Sequence, residues 1–238
     1  MKYLITNADD FGFTRDVNEG IVHAHRHGIL TATTLMATGA AFEHAVQLAH
    51  ENPSLDVGVH LVLVGSQGYP PTVAKLVGAV AARRIKIYDE LARQVGKVLE
   101  AGIRPTHLDT HKHTHLLPPV MRAVVRIAQE FHIPWVRRPL GAFPARGRPA
   151  RGCRMTDHFA GFRMTGKYNA ADLARLIRRL PDGLTEFMCH PGFCTDELRA
   201  ARTRLKESRR MELDALVSAE VREALEESKV LLTSYRMS

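Results

Sequence analysis

The chain has 238 residues, enough for one large domain or two small ones, and 45% of them are hydrophobic, an ordinary fraction for a globular protein. Its apolar runs are shorter than the roughly 20 residues that span a bilayer, its first ten residues turn acidic too soon for a signal peptide, and three cysteines are too few for a disulfide framework. The net charge of +8 lies largely in residues 137–154 and 199–210, and basic stretches with so few aromatic residues are weak indicators of a nucleic-acid partner. We therefore expect one cytoplasmic domain over residues 1–238.

Short apolar strands alternate with amphipathic helical patterns along the whole chain. Gly28 and Gly102 each follow a helical pattern and are typical helix stops. In chain order the patterns predict strand Tyr3–Asn7, helix Asp16–His27, strand Thr33–Ala37, helix Ala41–Glu51, strand Val57–Val62, helix Tyr88–Ala101, strand Thr106–Thr110, helix Val120–Phe131, strand Pro134–Arg138, helix Ala170–Arg179 with Asn169 as its cap, strand Glu186–Cys189, helix Glu197–Leu216, a shorter helix capped by Ser218, and strand Val230–Ser234.

This alternation is typical of a parallel sheet covered by helices. No glycine-rich Gly-x-Gly-x-x-Gly motif follows the first strand, so nothing favours a dinucleotide-binding fold. Seven or so strands in this length fit an α/β fold of one domain, a distorted or incomplete (β/α) TIM-like barrel. We interpret the stretches 64–85 and 139–155 as loops over one end of it. We interpret the basic stretches 137–154 and 199–210 as a solvated loop and a solvated helix face, with an anionic ligand or a membrane surface as the alternative for the basic residues.

A run of nine residues, His107–His115, holds four imidazoles and one carboxylate, all at odd positions. On one extended strand these side chains would share a face, with neighbours roughly 6.6 Å apart and the two ends about 26 Å apart. A zinc-type ion holds histidine nitrogens at about 2.0–2.1 Å, so one ion takes at most two of them and its other ligands come from elsewhere. Pro118 and Pro119 resemble the start of the next helix, so we expect the strand to end near Thr110.

Unusual polar side chains recur where the predicted strands end. In a β/α barrel the carboxyl ends of the strands meet at one rim, and the active site is built there. The sequence therefore predicts that this rim brings together, from successive strands, Asp9, Asp10, His60, Asp109, His111, Arg137, Arg138 and His190.

Each of these residues also has an ordinary structural interpretation. The pair Asp9–Asp10 would suit a turn or a helix cap, and a histidine such as His60 between apolar residues is often a core residue. His190 precedes a Pro-Gly pair and would suit a turn. His113 and His115 would suit a solvated loop. The set as a whole, more than any member, predicts a functional site.

Four segments occur in the same order as the motifs of a known family, which the chain resembles over nearly its whole length. They are Asn7–Gly12, Gly58–Leu61, His107–His115 and Glu186–Gly192, and together they resemble the YdjC/ChbG-like carbohydrate deacetylases. The resemblance implies a distorted β/α barrel, often dimeric, that removes acetyl groups from N-acetylated sugars, including chitooligosaccharides and glycosylated lipids. The segment between His60 and Pro105 is shorter here than in the chitooligosaccharide enzymes, which leaves the sugar itself open.

The resemblance also implies roles for individual residues. Asp10, His60 and His111 match the ligands of one divalent ion, and Asp9 matches the catalytic base. His190 is a candidate general acid or substrate contact. The remaining candidates for substrate binding or for support of the ligands are Asp109, His113, His115 and Arg138.

The resemblance leaves the metal open. Two histidines and one carboxylate suit zinc, iron or manganese, whereas the family is usually described with magnesium. We therefore expect one divalent ion, Mg²⁺ or Zn²⁺, with Mn²⁺ as a further candidate. Such an ion would polarise the acetyl carbonyl and lower the pKa of water, Asp9 would take the proton, and His190, His113 or His115 would protonate the departing amine.

Two other functions compete with sugar deacetylation. A metal-dependent phosphoesterase or nuclease could use the same ligands, and the basic stretches favour it slightly, but a two-metal site needs more carboxylates at the rim. A sugar-binding protein without catalysis could share the fold, yet it has no need for the intact set of Asp9, Asp10, His60 and His111.

Overall fold

The computed structural model describes residues 1–66, 68–139 and 152–237. These ranges contain eight strands and nine α-helices. In chain order they are β1 (Lys2–Phe11), α1 (Arg15–His27), β2 (Ala32–Leu35), α2 (Phe42–Glu51), β3 (Asp56–Leu61), α3 (Val73–Ala81), α4 (Ile87–Glu100), β4 (His107–Thr110), α5 (Pro118–Glu130), β5 (Trp135–Val136), β6 (His158–Ala160), α6 (Ala170–Arg178), β7 (Gly183–Cys189), α7 (Asp196–Ala200), α8 (Glu207–Val217), α9 (Ala219–Glu227) and β8 (Val230–Leu232).

All eight strands belong to one parallel sheet. Its order is β5-β4-β3-β2-β1-β7-β6, and β8 pairs with the start of β1. The edge strands β5 and β6 do not pair with each other in the described part of the chain, so the barrel is incomplete, and Trp135 of β5 instead forms an isolated parallel bridge with Arg154. The predicted α/β fold, a distorted and incomplete parallel barrel, is confirmed.

Strand β1 lies centrally in the sheet and is buried over its last eight residues. Alternate side chains of a strand share a face, and along the inner face of β1 these side chains change from apolar to polar. Ile5 belongs to a small apolar cluster with Tyr235, and Asn7 accepts a hydrogen bond from His107 Nε2 at 3.0 Å. Asp9 follows at the carboxyl end, so the interior of the barrel becomes polar where the predicted site lies.

Local capping signals in the sequence set several helix boundaries. Asn169 accepts a hydrogen bond from the backbone N–H of Asp172, and the Asp172 carboxylate accepts one from the backbone N–H of Asn169, which forms a capping box at the start of α6. The Ser218 side chain accepts from the backbone N–H of Val221 and begins α9. Pro118 occupies the first turn of α5, where its missing N–H is not needed. The predicted caps at Asn169 and Ser218 are confirmed.

The prediction of one helix over Glu197–Leu216 is wrong. Two helices, α7 and α8, lie there, and residues 201–206 between them are not helical. Ala201 has extended backbone angles, and the Thr203 side chain accepts a hydrogen bond from the backbone N–H of Leu205 at 3.1 Å. Threonine side chains compete with helical hydrogen bonds in this way, and the break turns this segment toward the cavity described below.

The predicted loop over residues 64–85 is also partly wrong, because it contains α3, which Thr72 caps by accepting from the backbone N–H of Lys75. Only Leu76 of α3 is buried, so this helix has little contact with the core. Strand β6 was not predicted either, since it is three residues long and only half-buried. Within the predicted loop 139–155, residues 140–151 lie outside the described residues. No helix in the described ranges is both long enough and apolar enough to cross a membrane.

Candidate active site

A cavity of about 730 Å³ opens at the carboxyl ends of the strands. Its apolar wall includes Phe13, Met36, Phe162 and Met188. Six of the predicted site residues line it, namely Asp9, Asp10, His60, His111, His113 and His190. The barrel therefore brings together residues that are up to 181 positions apart in the chain.

A bulge at the end of β1 brings two neighbouring carboxylates into this cavity. The pairing of β1 with β2 changes register between Ala8 and Phe11, and Asp10 lies in the left-handed region with φ of 70°. Adjacent residues of a regular strand point to opposite faces. Positive φ at a residue other than glycine is strained and clusters at functional sites. The bulge lets Asp9 and Asp10 line the same cavity while they contact different partners.

Three potential ligand atoms converge at the base of the cavity. Asp10 Oδ1 lies 3.4 Å from His60 Nε2 and 3.2 Å from His111 Nδ1, and the two nitrogens are 3.2 Å apart. All three atoms lie within 4.8 Å of one another. Asp10 comes from β1, His60 from β3 and His111 from the first turn after β4. The convergence results from parallel strands of one curved sheet that end at one rim.

These three groups fit a divalent cation. Asp10 Oδ1 is buried, and none of its contacts among the described residues, including those with the two imidazole nitrogens, has the geometry of a hydrogen bond. A buried acceptor left without a partner is costly, and a cation between this oxygen and the two imidazole nitrogens would satisfy it. Two imidazoles and a carboxylate leave open positions on such an ion.

Asp109 orients His60 for this role. His60 Nδ1 donates to Asp109 Oδ1 at 2.7 Å, and Thr34 donates to the other carboxylate oxygen at 3.1 Å. The His60 ring therefore presents Nε2 to Asp10 and His111. Burial by itself lowers the pKa of His60, but the carboxylates of Asp109 and Asp9 raise it to about 10. A cation must therefore displace a proton from His60 when it binds.

Arg137 joins the acidic groups beneath the cavity. Its guanidinium donates to both oxygens of Asp9, at 2.6 and 2.9 Å, and lies 2.7 Å from an oxygen of Asp109 and 2.7 Å from an oxygen of Glu186. Burial raises the pKa of Asp9, but the charge of Arg137 outweighs it and holds the pKa below its ordinary value. Burial raises the pKa of Asp109 and of Glu186 despite the same arginine.

This network changes one expectation and accounts for a second group of potential ligands. Arg137 is 1% exposed, so the interpretation of the basic stretch 137–154 as a solvated loop is wrong at its first residue. Asp9, His60 and Asp109 also lie close enough together to hold an ion. Because Arg137 already occupies oxygens of both carboxylates, that second set needs no metal. The position of Arg137 at the end of a predicted strand was the sequence signal for it.

Helix α8 adds a buried arginine that sequence reasoning missed. Arg209 Nη2 donates to Asp10 Oδ2 at 2.5 Å, and the side chain is 1% exposed. The interpretation of residues 199–210 as a solvated helix face is therefore wrong at Arg209. Arg209 shares its face of α8 with the buried Glu212 and Leu213. A charged residue in register with buried apolar positions was the signal available.

His190 lies between the carboxylates of Asp9 and Glu212. Its Nε2 is 3.9 Å from Asp9 Oδ2, and its backbone N–H donates to Glu212 Oε2 at 2.6 Å. Its Nδ1 is buried without a hydrogen-bond partner in the described ranges. Burial lowers the pKa of His190, although Glu212 and Asp9 oppose this. The ring is therefore neutral near pH 7.

Three predicted site residues remain, namely His113, His115 and Arg138. His113 lines the cavity, packs edge-on against Phe162, and has a pKa lowered to about 2 by burial. His115 contacts Thr110 Oγ1 at 2.7 Å, and burial lowers its pKa to about 3. Both are buried, so neither is a solvated loop residue. Arg138 donates to the Thr156 carbonyl at 2.8 Å and does not line the cavity.

An open parallel barrel with a polar cavity at the carboxyl ends of its strands defines the class of β/α-barrel enzymes. The chain belongs to the YdjC-like protein family, whose model matches residues 3–227. It is 35% identical to a carbohydrate deacetylase of Geobacillus stearothermophilus over 99% of this chain and 97% of that protein. It is 32% identical to a carbohydrate deacetylase of Brevibacillus brevis over 98% of both chains. A solved structure described as a putative cellobiose-phosphate cleavage protein of Enterococcus faecalis V583 superposes with a TM-score of 0.86 and 27% identity, over 99% of this chain and 98% of that one.

Proposed function

We propose that this protein is a metal-dependent hydrolase that removes the acetyl group from an N-acetylated sugar. The carbohydrate deacetylases among its relatives support the reaction. The observation that carries the metal dependence is the convergence of Asp10 Oδ1, His60 Nε2 and His111 Nδ1 within 4.8 Å at the base of the cavity. A divalent ion held there would polarise the acetyl carbonyl and lower the pKa of the attacking water.

The protein's own groups then move the protons. Asp9 accepts the proton of the water, and Arg137 keeps this carboxylate ionised and fixed in direction by two hydrogen bonds. His190 protonates the departing amine. Burial keeps the His190 ring neutral before the reaction, so it gains its proton during the cycle from Asp9, 3.9 Å away.

His190 is a better candidate for the acid than the other two histidines. His115 does not line the cavity, and its Nδ1 is already engaged by Thr110. His113 lines the cavity, but its ring packs between Phe159 and Phe162 and strongly resists protonation.

The rim of the cavity favours a second candidate, a phosphoesterase. Its exposed cations form no ion pair with any residue in the ranges described, and the cavity's two lining carboxylates both lie at its base. These rim cations are Lys112, Arg163, Lys167, Arg202 and Arg204. A cationic rim attracts anionic substrates. We rank this candidate second, because a two-metal phosphoesterase needs carboxylates that Arg137 already occupies here.

One assay separates the candidates. The purified protein is incubated with Zn²⁺, Mn²⁺ or Mg²⁺ and a panel of N-acetylglucosamine-containing oligosaccharides and glycolipids, and the acetate released is quantified. A model phosphodiester is tested in parallel. We expect acetate release that a chelator abolishes. No acetate from the panel together with cleavage of the phosphodiester would reject the deacetylase proposal.

The Asp9→Asn variant tests the assigned roles. The amide cannot take a proton from water, so turnover should fall at least about a hundredfold. Asp9 is not among the proposed ligands, so metal affinity measured by calorimetry should stay within about threefold of wild type. Normal turnover by Asp9→Asn would reject Asp9 as the base and leave the metal site unaffected.

A further inference from the structure

Arg209 is a buried cation with one hydrogen-bonding group unused. Its Nη2 donates to Asp10 Oδ2 at 2.5 Å, and its Nε donates to the Leu205 carbonyl at 3.4 Å. Its Nη1 is buried and has no hydrogen-bond partner in the ranges that the structure covers. The side chain forms part of the cavity wall. A buried guanidinium N–H without a partner is costly, and such a group in a folded protein calls for an explanation, such as a bound ion or ligand.

The bond to Asp10 also has a consequence for the candidate metal site. Asp10 Oδ2 is occupied by Arg209, so only Oδ1 is directed to His60 and His111. The carboxylate can therefore offer one oxygen to a cation and not both. The planar guanidinium of arginine can do this, since one terminal nitrogen holds the carboxylate while the other remains free to donate to a second group.

The charges around Nη1 favour an anion. The segment that precedes α8 contributes Arg202 and Arg204 to the same cavity wall, whereas Asp10 is already paired with Arg209. The other carboxylate of the cavity, Asp9, is paired with Arg137. An anion that reaches Nη1 would meet an unused N–H in a cavity whose wall carries two further cations.

We propose that Arg209 has two functions: it positions Asp10 as a one-oxygen ligand, and its free Nη1 binds the carboxylate of the acetate that leaves the sugar. This assignment rests on the proposed deacetylase function for the identity of the anion. The ligand class is a small monocarboxylate, and acetate itself is the probe.

Two substitutions separate the functions. Arg209→Lys keeps a cation beside Asp10 but lacks the second terminal nitrogen of the guanidinium. Arg209→Gln removes the charge. Arg210→Gln is the matched control, because Arg210 is the next residue, is exposed, and pairs with Asp214 at 2.8 Å outside the cavity. Two quantities are measured for each protein: the affinity of the metal-free chain for Zn²⁺ by calorimetry, and the affinity of the Zn²⁺-loaded chain for ¹³C-acetate by NMR titration.

We expect Arg209→Lys to bind Zn²⁺ within about threefold of wild type and to bind acetate about tenfold more weakly, the effect of losing one charge-assisted hydrogen bond. We expect Arg209→Gln to weaken acetate binding similarly and to weaken Zn²⁺ binding about 10-fold to 100-fold, as loss of a group that orients a ligand does. Arg210→Gln should match wild type in both. If acetate affinity is the same in wild type and Arg209→Lys, the acetate function is wrong.

Zn²⁺ affinity that is unchanged in Arg209→Gln would overturn the positioning function. If Arg209→Gln does not fold, Arg209→Ala with guanidinium chloride at low millimolar concentration replaces it. Guanidinium, but not the same concentration of NaCl, should then restore both Zn²⁺ and acetate affinity, and absence of this rescue would count against the proposal. Neither readout requires turnover. A wild-type protein that releases no acetate from any sugar would therefore refute the proposed function alone, while the two affinities still decide the role of Arg209.

Discussion

Replacement of Arg137 by methionine should destabilise the protein strongly, and by an amount that depends on pH. Arg137 is buried and holds Asp9 by two hydrogen bonds, with Asp109 and Glu186 each 2.7 Å away. Methionine fills a similar volume without charge, so the substitution leaves three buried carboxylates without their cation. Removal of one partner of a buried ion pair costs about 3–5 kcal/mol.

The pH dependence follows from the same carboxylates. Burial already raises the pKa of Asp109 and of Glu186 with the arginine present, and without it their pKa values in the folded state rise further. A folded state with raised carboxylate pKa values binds more protons than the unfolded chain, so its stability falls as pH rises. The loss in free energy of unfolding caused by Arg137→Met should therefore be largest near pH 8. It should shrink by about 1–2 kcal/mol toward pH 5, as protons neutralise the carboxylates of Asp9, Asp109 and Glu186.

Urea unfolding at pH 8 and pH 5, followed by circular dichroism, measures both effects. The matched control is Arg138→Met, because Arg138 is the adjacent residue and, among the described residues, its guanidinium donates to the Thr156 carbonyl and to no carboxylate. This control should lose at most about 1 kcal/mol, with no dependence on pH. A deficit below 1 kcal/mol for Arg137→Met, or one that is equal at both pH values, would refute the reasoning.

Three further predictions concern the metal ligands, their support and the helix caps. His60→Ala and His111→Ala should each weaken Zn²⁺ binding to the metal-free chain by at least about a hundredfold in calorimetry, whereas His44→Ala, outside the cavity, should not change it. Asp109→Asn should weaken Zn²⁺ binding about 10-fold to 100-fold, because Asp109 accepts the Nδ1–H of His60; an affinity equal to wild type would show that His60 needs no such support. Ser218→Ala should lower the free energy of unfolding by about 1 kcal/mol, since Ser218 caps α9, while Ser228→Ala beyond the end of that helix should have less effect in the same urea titration.

The sequence alone was enough to predict the fold class, because the signals for it are local. Alternating apolar strands and amphipathic helices indicate a covered parallel sheet, and caps such as Asn169 and Ser218 act within three residues of themselves. Short elements that contribute few buried side chains to the core escaped prediction. Strand β6 has three half-buried residues, α3 buries only Leu76, and Thr203 is part of a break that apolar periodicity does not register.

The candidate ligands could also be predicted, since Asp10, His60 and His111 lie at or just after the carboxyl ends of three strands, and parallel strands end at one rim. The arginines that pair with the neighbouring carboxylates could not be predicted. Arg137 meets Asp9 across 128 positions of the chain and Arg209 meets Asp10 across 199, and both arginines lie in basic stretches typical of solvated surface. Only the packing of the strands and of α8 around the cavity decides which of many arginines is buried, because the free energy of a buried guanidinium depends on the carboxylates that surround it. Residue types and their order therefore determined the fold class and the candidate chemistry, and the tertiary structure decided which charges are paired and which donors remain available to a ligand.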